Sequence, residues 1–280
     1  MAMERRPMSE RQRKFRENYK ANISPAYNGL LHVIVMYAVG ISALVYCFRQ
    51  LEGVTWEWLL AIPVFLAGNL VEWFMHAKVM HRRINVFGLR QIYERHTREH
   101  HQYFTDNEYT IDSTREFRIV FFPWRVLITL AAVGIPLGYV TSLIFNTNAG
   151  YIVFMVMVFN YLMYETFHYC CHVPENWFVR NMPLINTIRR HHTAHHNQGI
   201  MMKYNMNLTV PFADWLLGTS DLKRGLFGHL FNGYNEKHIK PELKPIIAKF
   251  QTDDSSVTLD GPVLTPEEER VINSQGQPQS

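Results

Sequence analysis

The stretch GYIVFMVMVFNYLMYETFHYCCH, residues 150–172, decides the fold. It is apolar and uncharged until Glu165, and it ends on two histidines, His168 and His172. At about 1.5 Å of rise per residue, a stretch of this length crosses a hydrocarbon core of about 30 Å. Three more stretches read the same way. Residues 29–48 carry no charge and only His32 near their start; residues 54–75 carry Glu57 and Glu72 towards their two ends; residues 119–145 carry Arg125 near their start. The helices of a soluble bundle would show a polar stripe along one face, and these do not. Pro63 and Pro136 would kink helices, which membrane spans tolerate.

Composition sharpens this reading. The chain has 280 residues, 48% hydrophobic and 19% charged, and its mean hydropathy of −0.13 hides apolar spans offset by polar segments. Three cysteines give no spaced pair, since Cys47 stands alone and Cys170 and Cys171 are adjacent. A disulfide framework, a zinc finger and a thioredoxin-like site are thereby excluded. The net charge of +4 is too mild to argue nucleic acid as a partner.

The spans are expected as two hairpins, with short turns at residues 49–53 and 146–149. Lys and Arg number seven in residues 1–28, eight in 76–118 and eleven in 172–280, whereas the two turns hold only Arg49. The positive-inside rule then places both termini and the central loop in the cytosol. Trp56, Trp58, Trp73 and Trp124 fall near span ends, where aromatic belts sit. No cleavable signal peptide is expected. The expected fold is therefore an all-α integral membrane protein: four transmembrane helices in two hairpins, with a cytosolic helical cap. Residues 1–28 form a basic cytosolic segment, 29–250 the membrane domain, and 251–280 a polar, mobile tail with a short helix starting at Thr265-Pro266-Glu267.

Eleven of the 14 histidines fall into four clusters, all at the cytosolic ends of spans or in cytosolic segments. They are His76 and His81; His96, His100 and His101; His168 and His172; and His191, His192, His195 and His196. Residues three or four apart share a helix face, so His96 with His100, His168 with His172, and His192 with His195 and His196 can converge. His76 and His81, five apart, lie about 140° around an ideal helix. Either the helix ends between them or they serve different metals. Neutral imidazole binds Fe, Zn, Cu and Ni, and so many convergent rings imply more than one ion. His32 reads as a helix-end residue, and His229 and His238 as solvated surface residues. Cys170 and Cys171 read as small apolar filler rather than as thiolate ligands.

The order His-x4-His, His-x3-His-His, His-x3-His, His-x2-His-His resembles the fatty acid hydroxylase/sterol desaturase superfamily of membrane oxygenases. The resemblance covers roughly residues 28–240. It extends to Asn205-Met206-Asn207 and to the segment Pro211-Phe212-Ala213-Asp214-Trp215-Leu216-Leu217-Gly218-Thr219. It implies four transmembrane helices, a cytosolic dinuclear metal centre and O2-dependent attack on a lipid C–H bond. By position, the implied ligands are His76, His81, His96, His100, His101, His168, His172, His192, His195 and His196. His191 is an extra imidazole left outside the set. The second box has three residues between its first histidines where two are common in the family, which leaves open which ring faces which metal.

Activation of O2 needs a metal that cycles oxidation states, so two iron ions are expected, although zinc can substitute in purified material. With no haem or flavin motif visible, electrons are expected from a separate donor protein. Metal-bound imidazoles usually donate their second N–H to a carboxylate or carbonyl. Glu72, four before His76, and Glu165, three before His168, lie on the matching helix faces, and a carboxylate inside a span costs about 2.5–3.5 kcal/mol. Glu99 and Asp214 are further options outside the spans. Asn205 and Asn207 are placed either to bond ligand rings or to cap a helix.

Three alternatives stay open from sequence. A desaturase has a related metal centre but removes two hydrogens; the His168-x3-His172 cluster and the short chain favour hydroxylation. A divalent-metal transporter would put ligands near mid-membrane, where these spans are nearly free of them. A metal-binding membrane scaffold without turnover is the third. Sterol, fatty acid, acyl-lipid and sphingolipid substrates all suit the pattern. Bacterial inner membrane and endoplasmic reticulum both remain open, because Gln277-Pro278-Gln279-Ser280 carries no retrieval signal.

Overall fold

The computed structural model describes residues 8–251 and 254–274. Among the described residues four helices are long and apolar enough to cross a membrane: Gly29–Arg49, Trp56–Met80, Arg125–Ile144 and Thr147–His172. We label the main helices α1 (Glu10–Ala21), α2 (Gly29–Arg49), α3 (Ala61–Met75), α4 (Arg125–Ile144), α5 (Thr147–His172), α6 (Ile185–His195) and α7 (Pro266–Asn273). A 3-10 turn, Trp56–Leu60, leads into α3 and places Pro63 in the first turn of that helix, where its missing N–H costs nothing.

The central helix is α5. It packs on α4, α2, α3 and α6. Asn146 starts it, its side chain accepting from Ala149 N (3.0 Å) while its Nδ2 donates to Glu57 (2.8 Å). The pairing of α5 with α4 rests on two glycines: a Cβ on Gly150 would lie 2.5 Å from Gly138 O, so only glycine allows this backbone approach. The outward faces of α2, α3 and α4 leave large apolar side chains uncovered, among them Ile34, Ile62, Val71, Leu143 and Ile144. That is the pattern of helices whose solvent is hydrocarbon.

The third apolar stretch divides. Phe117–Val120 is a separate short helix, and the chain is extended at Phe121 before Pro123; α4 begins only at Arg125. A proline disfavours helix at the residue before it, which explains the break. Residues 119–122 consequently leave the span and turn towards the histidines.

Both flanking segments dock on the histidine-bearing part. Arg16 of α1 is buried and donates to Thr110 O (2.8 Å), and Gln12 donates to Tyr103 O (2.9 Å) and Glu108 O (2.8 Å). The described part of the segment read as a mobile tail is exposed over most of its length but anchored at a few points. Thr265 caps α7 with a capping box, and Ile272 joins Phe250, Ile246 and Leu243 in an apolar cluster. Four apolar side chains, Val257, Leu264, Val271 and Ile272, are sufficient to anchor it despite its polar composition. Residues 275–280, including the C-terminal tetrapeptide, lie outside the described residues.

Candidate metal centre

The histidines converge in two adjacent sets. His76, His81, His96, His101 and His195 form one, and His100, His168, His172 and His192 the other; in each, the donor atoms all lie within 4.8 Å of one another. His196 stands beside the second set, its Nε2 3.0 Å from His192 Nε2. All ten rings are buried. The two sets are joined by the neighbours His100 and His101, and by His195 and His196 on α6 and its cap.

Two π-helical turns produce this convergence. Residues His76–Met80 form one, closed by His81 N donating to His76 O (3.2 Å), and the two rings stack with centroids 5.0 Å apart. The helical run does end between the two, at Met80, but through a widened turn that brings residues five apart onto one face. A second π turn, Glu94–His100, does the same for His96 and His101, whose Nε2 atoms are 3.2 Å apart. His96 and His100 do lie side by side, stacked with centroids 5.4 Å apart, but their donor atoms enter different sets. On α6, where the helix is regular, His192 and His196 share one side and His195 faces the other set. His168 and His172 meet as expected, Nε2 to Nε2 3.2 Å.

The ring nitrogens are sorted by backbone carbonyls, which can only accept. Nδ1 of His76 donates to Met206 O, of His195 to Tyr204 O (2.7 Å), of His100 to Ile119 O (3.1 Å), of His172 to Tyr109 O (2.7 Å) and of His196 to Phe104 O (3.1 Å). Thr97 spends its hydroxyl hydrogen on Met80 O (2.7 Å) and so accepts from His81 Nδ1 (3.1 Å). In a neutral imidazole the hydrogen is then on Nδ1, and Nε2 carries a bare lone pair. These six nitrogens face one another and the Nε2 atoms of His96, His101, His168 and His192, the last three of which have no partner at Nδ1 among the described residues. Nε2–Nε2 separations are 2.8 Å for His76–His96, 3.1 Å for His81–His195, 3.2 Å for His101–His195, 3.3 Å for His100–His168 and 3.1 Å for His172–His192. Donors about 2.0–2.1 Å from a shared ion, at angles between square and tetrahedral, would lie about 2.9–3.4 Å apart. The residues fit a pair of metal ions. Burial, reinforced by neighbouring imidazoles, holds His81, His96, His101, His192, His195 and His196 well below the ordinary imidazole pKa, in the neutral form that coordinates.

The carboxylates act one step further out than expected. Glu72 touches no ligand ring; it accepts from Leu208 N, from Thr209 N (3.1 Å) and from Thr209 Oγ1 (2.5 Å). It thus fixes the loop whose Met206 carbonyl receives His76. Glu165 likewise accepts from Phe122 N (3.2 Å) and holds the end of the short helix Phe117–Val120, which carries Ile119 O, the acceptor of His100. Each span carboxylate therefore anchors backbone, and the backbone orients a ring.

Asp214 binds no metal-facing ring either. It accepts from His191 Nε2 (2.9 Å), Asn207 N (2.7 Å) and Thr219 Oγ1 (2.6 Å), and its own N–H donates to Asn207 Oδ1 (3.0 Å). Those bonds, with the burial they oppose, leave its carboxyl below the usual range. Asn207 also donates to Asn69 O (3.1 Å). Asn205, at φ 61°, accepts from Asp221 N (2.9 Å) and donates to His191 O (3.3 Å). Neither asparagine bonds a ligand ring: Asn205 shapes the loop, and Asn207 Oδ1 caps the first turn of the short helix Phe212–Leu216 through Asp214 N. Glu99 is half-buried, lines a groove with Phe15, Tyr19 and Arg98, and joins neither histidine set.

The remaining histidines have other partners. His32 bridges Tyr27 Oη (2.8 Å) and Phe122 O (3.0 Å). His229, expected on the surface, is buried and bonds Gly225 O (3.1 Å), because its short helix folds its ring inward. Missed in the sequence were Thr97 and Arg189. Arg189, fully buried, donates to Cys170 O (2.5 Å), Cys171 O (3.0 Å) and Val173 O (2.8 Å), satisfying carbonyls at the end of α5 that the helix leaves open. The readable signal for the π turns was the repeated five-residue spacing, His76 to His81 and His96 to His101.

A family model described as fatty acid hydroxylase matches residues 58–219, more than half of the chain. No curated protein and no solved structure matches it.

Proposed function

The chain belongs to the fatty acid hydroxylase family, and from that premise we propose that it is a membrane-bound oxygenase hydroxylating a C–H bond of a fatty acyl or sterol-like lipid. One oxygen atom of O2 enters the C–H bond; two electrons from a separate donor protein and two protons carry the other to water. The observation that supports this reading is the pair of converging Nε2 sets, each made wholly of buried imidazoles.

Two iron ions, when bound, supply the redox cycling that O2 activation requires, which redox-silent zinc does not. His76, His81, His96, His101 and His195 would hold one, and His100, His168, His172 and His192, with His196 beside them, the other. The chain's own part is orientation and exclusion of water. Carbonyl acceptors keep the Nε2 atoms of His76, His100, His172, His195 and His196 bare, as Thr97 does that of His81, and burial of all ten rings keeps bulk water from the reacting region. In this reading the four spans form two hairpins in the bilayer, with both termini and the histidine-bearing cap in the cytosol. A lipid chain then reaches the histidines at the ends of α3 and α5 without leaving an apolar surface.

The test is expression in a native membrane under 18O2, followed by lipid analysis. A labelled hydroxyl that disappears in His192→Ala is the expected outcome. A new double bond without label would replace this reading by desaturation. Unchanged lipids with metal-loaded protein would leave a scaffold, and fewer than two metals per active chain would end the dinuclear reading.

A further inference from the structure

After His101–Tyr103 the chain runs through residues 104–113 without helix or strand. Its buried carbonyls therefore depend on donors from elsewhere. Two of them serve the second histidine set: Phe104 O accepts from His196 Nδ1 (3.1 Å) and Tyr109 O from His172 Nδ1 (2.7 Å). The Phe104 ring also stacks on His172, with centroids 4.1 Å apart and planes inclined by 26°, and meets His100 edge-on at 5.1 Å. In the first set, the Nδ1 atoms of His76, His195 and His81 go instead to Met206 O, Tyr204 O and Thr97 Oγ1.

The N-terminal helix α1 holds this segment. Gln12, 3% exposed, donates from Nε2 to Tyr103 O (2.9 Å) and Glu108 O (2.8 Å), and its Oε1 accepts from Thr105 Oγ1 (3.1 Å). One carboxamide thus ties the two ends of the turn together. Arg16, four residues on and so on the same helix face, donates from Nη2 to Thr110 O (2.8 Å), the carbonyl next to the one that receives His172. Its guanidinium carbon stands 4.6 Å from the centroid of the Tyr103 ring and 5.9 Å from that of Phe104. Glu116 keeps Arg16 in place, Nη2 to Oε2 3.3 Å, and Tyr103 Oη donates to the same oxygen (2.6 Å). A helix that needed only to dock would bury apolar side chains. This one buries a carboxamide and a guanidinium, which is costly unless both are bonded, and their bonds go to the segment that aims His172 and His196.

We infer that Gln12 and Arg16 are positioning residues of the second metal site. By fixing residues 103–110 they aim the Nε2 atoms of His172 and His196, so that α1 sets the affinity of that site and leaves the first site alone. The inference rests on the reading of the two histidine sets as two metal sites. An imidazole whose Nδ1 acceptor shifts turns with it, and Nε2 then no longer points at the shared ion. Loss of such an outer partner costs about 10–100-fold in metal affinity.

The test is a cobalt titration of the full-length, metal-stripped chain in detergent, read by the visible absorption of bound Co2+. His81→Ala and His168→Ala supply the spectrum of each set alone. In Gln12→Ala and in Arg16→Leu the affinity of the second set should fall by about tenfold or more, with that of the first unchanged. Arg16→Lys, which keeps a donor for Thr110 O, should recover much of the loss. Arg16→Leu still leaves Glu116 the donors Tyr103 Oη and Ser113 Oγ (3.0 Å); should it fail to fold, Gln12→Ala, which removes no charge, decides alone. A lower unfolding midpoint with both cobalt affinities intact would reduce α1 to a structural support and overturn the inference. An equal loss from both sets would overturn it too. An unaltered chain that takes up fewer than two ions would instead end the dinuclear reading, and this inference with it.

Discussion

His76 and His81 stack with ring centroids 5.0 Å apart and planes inclined by 20°, although four residues lie between them. Only the π turn His76–Met80 permits this, and the same device brings His96 to His101. One extra residue in a turn is tolerated where a site compensates for the weaker backbone geometry. Inserting one alanine after Val79 should set His81 six residues from His76 and carry it off the shared face, whether the turn is α or π. We expect such a protein to lose roughly half its metal, from the set containing His76, while the set containing His168 keeps its own. Metal analysis of the purified protein decides this; full retention would mean the π turn is incidental.

Glu72 and Glu165 should be separable by the set each one serves. Removing the Glu72 carboxylate leaves Leu208 N and Thr209 N without their acceptor, at about 1–3 kcal/mol for each buried donor. The loop then releases Met206 O from His76. Glu165→Ala frees Phe122 N and, through that segment, Ile119 O from His100. Glu72→Ala should therefore deplete the His76 set and Glu165→Ala the His100 set. Spectroscopy of cobalt-substituted protein would resolve the two, and identical losses in both variants would contradict the assignment.

His191 tests the converse, since it sits among the ligand histidines yet bonds Asp214 instead. His191→Ala should retain both metals and lose stability by about 1–3 kcal/mol, the cost of leaving a buried carboxylate short of a partner. His195→Ala should lose metal. Thermal unfolding and metal content measured together distinguish the two outcomes, and metal loss in His191→Ala would place it among the ligands.

What could be read in the sequence follows from which signals are compositional. Residues 29–48 and 150–171 announce spans because a soluble helix needs a polar stripe and these have none. The ten clustered imidazoles announce a metal site because histidine is rarely so dense. Which ring meets which was not legible, since it turns on two π turns that change the facing partner from the fourth residue to the fifth. Nor were the acceptors at Met206, Tyr204, Tyr109, Ile119 and Phe104, because every residue has a carbonyl and only the fold selects one. Glu72 and Glu165 were rightly singled out by their cost inside a span, yet their partners are amide hydrogens on distant loops.

Acidity should unmake the metal-free protein. Burial, and then the neighbouring rings, hold His96, His101, His192, His195 and His196 well below the ordinary imidazole pKa of 6.5 in the folded chain. Between the folded and unfolded values the unfolded chain binds more protons, so the slope of stability with pH is positive there. The stability these rings confer is fully present above about pH 6.5 and is lost as pH falls below it. The unfolding temperature of chelator-treated protein should thus drop between about pH 7 and about pH 5, and the fall should be smaller once metal holds the rings neutral. A flat profile in the metal-free protein would mean that these imidazoles are hydrated and titrate alike in the folded and unfolded chain.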